Sequence, residues 1–358
     1  MQDTTCSGAS SRGKNASRPL KVAADPCTIH YDPIVMEGSR PMEDPVLQRV
    51  MHEFGLGSPL EQEGLSGGSA AAFRVRSARG DFVIKDGGDE RVLRLYKQVA
   101  ETLNAQGVRQ ARLYESISGQ LTASSGHAVF EFLPGTWAWQ PTTTQSAAFM
   151  RYFAAYQRAL RAVSIPLFVT EVRTPWQQAD SLDYLLHDMP GLLATIRVSP
   201  LFARTADRVL AFLVEHRPIL EAQPKQLVHG DVGPGNILYA PDGGIALIDF
   251  TPYRESALYA LGVSFYWHYV YARDGRPDVM RIRDDLRAYA AVHLWTDEAK
   301  RAFYPALVKA AARILFVPIL LALATGQRVD DSVSDSRARA INNIMACRNE
   351  LEAAIGEG

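Results

Sequence analysis

The stretch QLVHGDVGPGNILYAPDGGIALIDF, residues 226–250, decides the interpretation of this chain. Its glycines and its proline interrupt regular structure between two apolar runs, which predicts an irregular loop held between short strands. ILYA and IALID predict two of those strands, joined by a PDGG turn. Polar side chains in such a loop are held on rigid supports, as a chemical site requires.

Three oxygen-bearing side chains in this stretch have separable roles. Asn236 is neutral and offers a hard cation its carbonyl oxygen, whereas Asp249, at the end of the second strand, offers an ionised carboxylate. Asp231 then remains free to accept a proton from an attacking hydroxyl. His229 either stiffens the loop as a hydrogen-bonded imidazole or takes part in catalysis directly. The pattern predicts a site for a magnesium nucleotide.

HGDVGPGN, followed by the Asp of IDF thirteen residues after its Asn, resembles the motif pair of the family of aminoglycoside phosphotransferases, choline kinases and homoserine kinases. The resemblance extends over roughly residues 50–325. It implies a two-lobed protein-kinase-like fold of the α+β class, with a small antiparallel β N-lobe and a mainly helical C-lobe. Protein kinases have an Arg at the position of Gly230 and an Ala-Pro-Glu segment downstream. The absence of both favours a small-molecule kinase.

The resemblance also implies nucleotide-binding residues in the N-lobe. LSGGSAAAFRV resembles the loop that covers the nucleotide, and the lysine of DFVIKD falls where the family's phosphate-contacting lysine lies. HAVFEFLPG resembles the hinge, whose backbone would read the adenine edge, with Phe130 or Phe132 packed near it. The residues implied in this way are Ser66, Gly67, Gly68, Ser69, Lys85, Glu131, Phe132 and Leu133.

The family usually adds a helix glutamate that orients the lysine. ERVLRLYKQVAETLNAQG predicts the corresponding helix, which offers Glu90 and Glu101. Leu95 or Tyr96 stands at the position where the acid is expected. Glu101 is therefore a candidate partner of Lys85, Glu90 is another, and the absence of any acidic partner is the alternative.

Composition and periodicity divide the chain into three parts. Residues 1–44 are rich in Ser, Gly, Pro and Lys and predict a disordered tail. Residues 45–135 predict a β-rich nucleotide-binding N-lobe, with a short helix, a hairpin from AAFRVRS and DFVIKD, a crossing helix, and strands from ARLYESI, QLTAS and HAVFEFLPG. Residues 136–358 are apolar at helical spacing over most of their length, which predicts a helical C-lobe with the catalytic loop and the acceptor site.

The overall composition excludes several classes of protein. Its 38 Lys plus Arg balance 39 Asp plus Glu, so no basic field attracts a nucleic acid polymer or an anionic membrane. The three cysteines lie far apart and suggest neither a disulfide framework nor a zinc site. LVKAAARILFVPILLALATG (307–326) contains Lys309, Arg313 and Pro318, which favours a buried, kinked helix over a membrane span. With no signal-peptide core at the N-terminus, we expect a cytoplasmic protein.

Aromatic residues are dense near the catalytic stretch and are candidates for the acceptor site. Aromatic faces suit sugars, nucleosides and flat natural products, although rings at helical spacing are also typical of a core. Asp274, Asp278, Asp284 and Asp285 are candidates for an acidic rim or for an ordinary solvated face. The aromatic candidates are Trp137, Trp139, Trp176, Tyr253, Tyr259, Phe265, Tyr266, Trp267, His268, Tyr269 and Tyr271.

The resemblance implies a kinase that uses Mg²⁺ and ATP or GTP and phosphorylates a hydroxyl of a small molecule. An antibiotic or secondary metabolite that contains an aromatic or sugar ring is the first hypothesis for the acceptor. A primary metabolite such as choline, homoserine or a thiosugar is the second. A third hypothesis is a nucleotide-binding regulator that has lost transfer. We expect a monomer or a homodimer.

Overall fold

A four-stranded antiparallel sheet forms within the first part of the chain. The computed structural model describes residues 42–65, 72–170, 175–271 and 275–357. Residues 1–41 of the predicted tail and the predicted nucleotide-covering residues 66–69 lie outside the described residues. The strands follow the order of the chain across the sheet, and they are β1 (Pro59–Leu65), β2 (Ala72–Ser77), β3 (Gly80–Asp86) and β4 (His127–Glu131).

Cross-strand apolar pairs hold the centre of this sheet. Phe73 lies opposite Ile84, and Val75 lies opposite Phe82, so one face of the β2–β3 hairpin is apolar. All four side chains are buried. Such directly opposed pairs are the unit of sheet stabilisation. The predicted hairpin is confirmed.

The other strand predictions for this region are partly wrong. ARLYESI and QLTAS form no strands, and the first contributes only an isolated bridge between Leu113 and Phe130. A strand that the sequence pattern did not predict, β1, lies at the edge of the sheet. It is rich in exposed polar residues, and its pairing with β2 depends on main-chain hydrogen bonds rather than on an apolar face.

Two helices accompany the sheet. Helix α1 (Asp44–Glu53) buries Leu47, Val50 and Met51 in the same apolar cluster as the hairpin side chains. Helix α2 (Glu90–Ala105) is capped by Asp89, whose carboxylate accepts a hydrogen bond from the Arg91 N–H, 2.9 Å away. Gly107 follows with a positive φ of 74°, as expected for the left-handed residue after a helix.

The rest of the chain is mainly helical. Most of its apolar side chains join one large core, which gives these helices most of their stability. Together with the small antiparallel sheet, this confirms the predicted α+β, two-lobed class, while the predicted boundary near residue 135 stays a prediction. The helices are α3 (Thr143–Leu160), α4 (Pro175–Asp180), α5 (Leu182–His187), α6 (Met189–Leu193), α7 (Pro200–Glu221), α8 (Ala257–Phe265), α9 (Val279–Ala290), α10 (Asp297–Thr325), α11 (Asp331–Ala346) and α12 (Arg348–Glu357).

Helix α10 lies at the centre of this core. It is capped by the Thr296 side chain and ends at Gly326, which has a left-handed φ of 66°. Among the helices of the described ranges, α10 alone is long and apolar enough to cross a membrane, and 83% of its most apolar window is buried within the protein. Lys309 and Arg313 are buried in it as well. The predicted buried helix is therefore present.

Two small antiparallel ribbons carry the quoted stretch. Strand β5 (Lys225–His229) pairs with β8 (Pro252–Ser256), and β6 (Ile237–Tyr239) pairs with β7 (Ile245–Leu247). The segment after β4 reaches the second ribbon through a bridge between Thr136 and Tyr239. Both predicted strands around the PDGG turn are present.

Candidate active site

The loop between β5 and β6 begins with a fixed imidazole. His229 is buried; its Nε2 lies 3.0 Å from the Ile248 carbonyl oxygen, and its Nδ1 lies 3.1 Å from the backbone N of Asp231. Because the Asp231 N–H must donate to Nδ1, the ring proton belongs on Nε2, where it donates to Ile248. Burial lowers the pKa of His229 and favours this neutral form. The two hydrogen bonds of His229 thereby connect the start of the loop to Ile248, the residue that follows β7.

Asp231 and Asn236 face each other across the loop. The Asn236 Nδ2 group donates to the Asp231 backbone oxygen at 2.8 Å and to Asp231 Oδ2 at 3.0 Å. Within the described ranges, Asp231 Oδ1 accepts no hydrogen bond, and neither does Asn236 Oδ1. The pairing therefore leaves one carboxylate oxygen and one amide oxygen available for ligands.

Asp249 is brought close to Asn236 by the β6–β7 ribbon. The Ile248 N–H donates to the Asn236 backbone oxygen at 2.9 Å. Asp249 has a φ of 56°, the one positive value of a non-glycine residue in the described part of the chain. Side chains rarely adopt this conformation, and such strain clusters at functional sites.

Lys85 reaches Asp249 from the sheet. Its Nζ lies 2.9 Å from Asp249 Oδ1 and 4.8 Å from the centre of the Phe130 ring. Partial burial raises the pKa of the Asp249 carboxyl, but the Lys85 ammonium outweighs burial and holds the pKa below its ordinary value. The pair joins residues 164 positions apart in the chain.

No acid of helix α2 takes the role that the resemblance implies. Glu101 pairs with Lys97 at 2.5 Å, and Glu90 pairs with Arg94 at 2.5 Å, so the Glu101 prediction is corrected. Both glutamates lie on the exposed face of the helix, whereas Tyr96 is on the buried face. Of the alternatives, the described residues favour the one in which Lys85 has no acidic partner on this helix.

Tyr96 occupies the space between the helix and the site. Its ring meets Phe130 edge-to-face at 5.2 Å and lies 6.4 Å from Phe250, the residue after Asp249. Its hydroxyl donates to the Ala111 carbonyl oxygen and accepts from Gln110 Nε2. An aromatic contact, rather than the expected ion pair, thus links α2 to the candidate site.

The predicted hinge follows β4. The Glu131 N–H donates to the Arg112 carbonyl oxygen at 2.8 Å, and the Glu131 carboxylate accepts from the Arg112 N–H at 3.1 Å. Phe132 packs under the Arg74 guanidinium, 4.2 Å from the ring centre. Leu133 is buried, and in the described part of the chain its N–H has no partner. That N–H is therefore a donor available to an adenine edge.

Beneath the loop, Gly230 is packed against an aromatic ring. A Cβ built on Gly230 would lie 1.9 Å from Tyr253 Cδ2, so only glycine fits. Arg313 of α10 donates to the Gly230 carbonyl oxygen, and its guanidinium forms a buried ion pair with Asp180 at 3.3 Å. Burial by itself lowers the pKa of Arg313, but the charge of Asp180 outweighs it and the pKa rises.

An aromatic surface borders the loop on another side. A Cβ built on Gly233 would lie 3.7 Å from Trp267 Cδ1 and 3.9 Å from Asp231 Oδ1, so the indole and the free carboxylate oxygen flank the same glycine. Trp267 and Tyr271 meet edge-to-face at 5.1 Å, and both are partly exposed. They belong to a π-helical turn, Tyr266–Val270, and the residue after it.

Other candidates for the acceptor site have structural positions instead. Tyr259, Phe265, Tyr266, His268 and Tyr269 are buried in the core. Of the two alternatives for the aspartates, the described ones do not form an acidic rim: Asp278 caps α9, Asp284 is exposed beside Arg283, and Asp285 is buried against Ser146 and Tyr269. Asp274 and the Trp176 side chain lie outside the described residues. Trp137 and Trp139 are exposed, and Tyr253 packs on Gly230.

Comparison with known proteins identifies the family of the chain that carries this arrangement of residues. The sequence model of the phosphotransferase enzyme family matches residues 61–295, which include β2 to β4, Lys85 and the whole quoted stretch. The chain belongs to the phosphotransferase enzyme family. It is therefore an enzyme of the small-molecule phosphotransferase type, and the resemblance stated from the sequence is confirmed. A search of curated protein sequences found no significant match.

Solved structures share the fold of this phosphotransferase at low sequence identity. An aminoglycoside phosphotransferase from Alicyclobacillus acidocaldarius superposes with a TM-score of 0.60 at 17% identity, covering 87% of this chain and 95% of its own. A choline/ethanolamine kinase family protein from Mesorhizobium loti gives 0.60 at 16% identity, with 88% and 99% covered. An amicoumacin kinase in complex with AMP-PNP, Ca²⁺ and Ami gives 0.58 at 15% identity, with 87% and 93% covered.

The sequence did not predict two features of the candidate site: the packing of Tyr96 and the buried Asp180–Arg313 pair beneath Gly230. Tyr96 stands where the resemblance implies an acid, and no motif marks Asp180 or Arg313 as neighbours of the loop. A charged side chain that is buried in an apolar helix needs a partner of opposite charge. This rule could have predicted from the sequence that Arg313 has an acidic partner.

Proposed function

We propose that this phosphotransferase moves the γ-phosphoryl group of ATP or GTP to a hydroxyl of a small molecule, such as an antibiotic or another secondary metabolite. The observation that supports it most directly is the loop in which Asn236 holds Asp231 by Oδ2 and leaves Oδ1 open. A binding module has no need of an oriented carboxylate in that position. The cytoplasm, which supplies both nucleotides, is the proposed location.

Asp231 is the proposed base. As the acceptor oxygen bonds to the γ-phosphorus, the bond from that phosphorus to the β–γ bridging oxygen breaks, and the hydroxyl proton passes to Asp231 Oδ1. The nucleoside diphosphate leaves with the bridging oxygen. The His229 imidazole, neutral and bonded on both nitrogens, is proposed to position the loop rather than to exchange protons.

Lys85 and the metal ligands are proposed to hold the nucleotide phosphates. Asn236 Oδ1 and the Asp249 carboxylate would hold Mg²⁺, because one amide oxygen and one ionised carboxylate beside phosphate oxygens are a donor set that this ion accepts. When bound, the ion neutralises charge on the transferred phosphoryl group. The Lys85 ammonium, 2.9 Å from Asp249 Oδ1, would pair with a phosphate oxygen bound beside that carboxylate. The related amicoumacin kinase structure, which contains AMP-PNP and Ca²⁺, supports this proposal.

The test is acceptor-dependent nucleotide consumption. With Mg²⁺ and either ATP or GTP, we expect turnover with one member of a panel of aminoglycosides, macrolides, nucleoside antibiotics and amino alcohols. Asp231→Asn should abolish that turnover while nucleotide affinity, measured by calorimetry, stays close to wild type. Asp242→Asn, an exposed change in the turn of the same β6–β7 ribbon, is the matched control and should turn over normally. Unchanged turnover by Asp231→Asn would remove the base assignment.

One observation favours a second candidate, a nucleotide-binding regulator. In the described residues no acid on α2 orients Lys85, and the lysine is bound by a proposed metal ligand instead. In that case nucleotide would bind in a Lys85-dependent manner and no acceptor would be consumed. The same panel, with binding measured for Lys85→Met, separates the two candidates.

A further inference from the structure

A buried ion pair lies directly beneath the proposed catalytic loop. Arg313 is 4% exposed and Asp180 is 6% exposed, and their nearest charged atoms are 3.3 Å apart. The Tyr259 hydroxyl donates to the same aspartate, and the Arg313 guanidinium lies 5.4 Å from the centre of the Tyr253 ring. Burying two charges is costly, and replacing such a pair by apolar side chains is often neutral or stabilising. Stability alone therefore does not explain the pair.

The pair acts on one peptide group. Arg313 donates to the carbonyl oxygen of Gly230, and the other end of that peptide, the Asp231 N–H, donates to His229 Nδ1. A peptide group is planar and rigid, so fixing its oxygen and its hydrogen fixes its orientation. The orientation of this plane sets the direction in which the Asp231 side chain leaves the backbone.

Neighbouring contacts confine the same segment without fixing that plane. The Gly230 N–H donates to the Thr251 carbonyl oxygen at 2.8 Å, which holds the preceding peptide. The Tyr253 ring fills the space beside Gly230 Cα, and Arg313 packs over that ring. Because glycine has no Cβ, its own side chain does not restrict the orientation of the peptide that follows it, so the hydrogen bond to its carbonyl oxygen contributes directly to that orientation.

We propose that Arg313, held by Asp180, is a positioning residue that keeps the Gly230–Asp231 peptide in the orientation required for proton acceptance by Asp231. The inference rests on the proposed function of Asp231 as a base. Arg313 contacts neither nucleotide nor acceptor in this scheme, and its contact with the loop is the hydrogen bond to the Gly230 carbonyl oxygen.

The first test compares two methionine substitutions on one helix. Arg313→Met removes the donor to Gly230. Lys309→Met, one turn earlier on α10, removes an equally buried cation whose partner is Glu255, at 2.5 Å, and which does not contact the loop. We expect kcat to fall about 100-fold for Arg313→Met, the size of effect that a misplacement of about 1 Å produces, with the nucleotide KM unchanged. Lys309→Met should keep the wild-type kcat.

The second test separates positioning from folding. Arg313→Met leaves a buried Asp180 carboxylate without its cation, so its Tm should fall. Asp180→Asn/Arg313→Met removes both charges, and its Tm should recover most of that loss. We expect kcat of the double variant to stay as low as that of Arg313→Met, because Gly230 still lacks its donor. Recovery of kcat together with Tm would overturn the proposal.

Hydrogen exchange tests the order of the loop without any turnover. Exchange in the peptide covering residues 229–236 should be faster in Arg313→Met than in Lys309→Met, when each variant is measured the same number of degrees below its own Tm. Equal exchange would overturn the positioning role. A wild-type protein that consumes no acceptor would contradict the proposed function instead, and the exchange comparison would still decide whether Arg313 orders the loop.

Discussion

At the scale of single residues, Gly230 is confined by contacts to its Cα, its N–H and its carbonyl oxygen. Its missing side chain admits the Tyr253 ring, its N–H is bonded to Thr251, and its carbonyl oxygen is bonded to Arg313. Protein kinases have Arg at the corresponding position. The sequence singled out this glycine as a departure from protein kinases, and the reason is steric: the ring of Tyr253 lies where a Cβ would be.

Gly230→Ala should be poorly tolerated. A Cβ placed 1.9 Å from Tyr253 Cδ2 forces the ring or the backbone to move, and we expect a loss of about 1 to 3 kcal/mol in the free energy of unfolding. Urea unfolding measures it. Gly191→Ala, where a Cβ would meet no atom within 4 Å, is the control and should be neutral or slightly stabilising.

A double-mutant cycle with Tyr253→Ala identifies the cause. If the clash with the ring is responsible, Gly230→Ala should cost much less in the Tyr253→Ala background than in wild type. Equal costs in the two backgrounds would contradict the steric explanation.

At the scale of elements, the π-helical turn after α8 sets which rings face the loop. π-Helical turns are rare and are frequently found at functional sites. Tyr269 of the turn is anchored by the buried Asp285 and by Ser146, at 2.5 Å, while Trp267 is directed toward Gly233. Helical spacing of apolar residues predicted only that this part of the chain is helical, and it could not separate the buried rings from the partly exposed ones.

Trp267→Leu should weaken acceptor binding selectively. Loss of a stacking face next to Asp231 is expected to raise the acceptor KM about tenfold, corresponding to about 1.4 kcal/mol, with the nucleotide KM unchanged. Steady-state kinetics with the acceptor found in the panel measures both constants. Trp295→Leu, which removes a partly buried indole packed on Tyr289 and Phe303, is the control for lost aromatic volume. A parallel rise in both KM values would argue against an acceptor contact.

At the scale of the whole molecule, buried imidazoles couple stability to pH. Burial lowers the pKa of His268 to about 4 and, together with the charge of Arg161, lowers that of His293 to about 4. The unfolded chain binds these protons near the ordinary pKa of about 6.5. The folded protein therefore has its full stability above pH 6.5, where both imidazoles are neutral in either state. That stability falls as the pH drops toward the folded-state pKa values of these two residues, because the unfolded chain binds protons that the folded chain does not.

We expect the free energy of unfolding to fall by about 3 kcal/mol between pH 6.5 and pH 5 from these two residues together. His229, whose pKa burial also lowers, acts in the same direction. Urea titrations across this range give the slope. His268→Phe should reduce that slope by up to one proton. An equal slope in wild type and His268→Phe would contradict the prediction.

The sequence by itself determined the family, the fold class and the short-range part of the site. His229, Asp231, Asn236 and Asp249 lie within one stretch of 21 residues, and their spacing is set by a loop and a ribbon whose turn residues are readable locally. The β2–β3 hairpin and the long buried helix were predictable for the same reason, because alternation and helical periodicity report which side of an element is apolar.

Only the tertiary structure decided which distant side chains complete the site. Arg313 meets Gly230 across 83 residues, and no local pattern encodes that contact. Lys85, which the resemblance already assigned to the nucleotide, meets Asp249 across 164 residues, and its direct pairing with that carboxylate is visible only in the folded chain. Tyr96 replaced the expected acid because its face of α2 packs into the core, where an aromatic ring is stabilised and a lone carboxylate is not. Likewise Asp285, which looks like a surface charge in the sequence, is buried where α9 packs on the π-helical turn, and its carboxylate accepts hydrogen bonds from Ser146 and Tyr269. Burial and partner choice depend on how elements pack against one another, and this packing is what the linear pattern lacks.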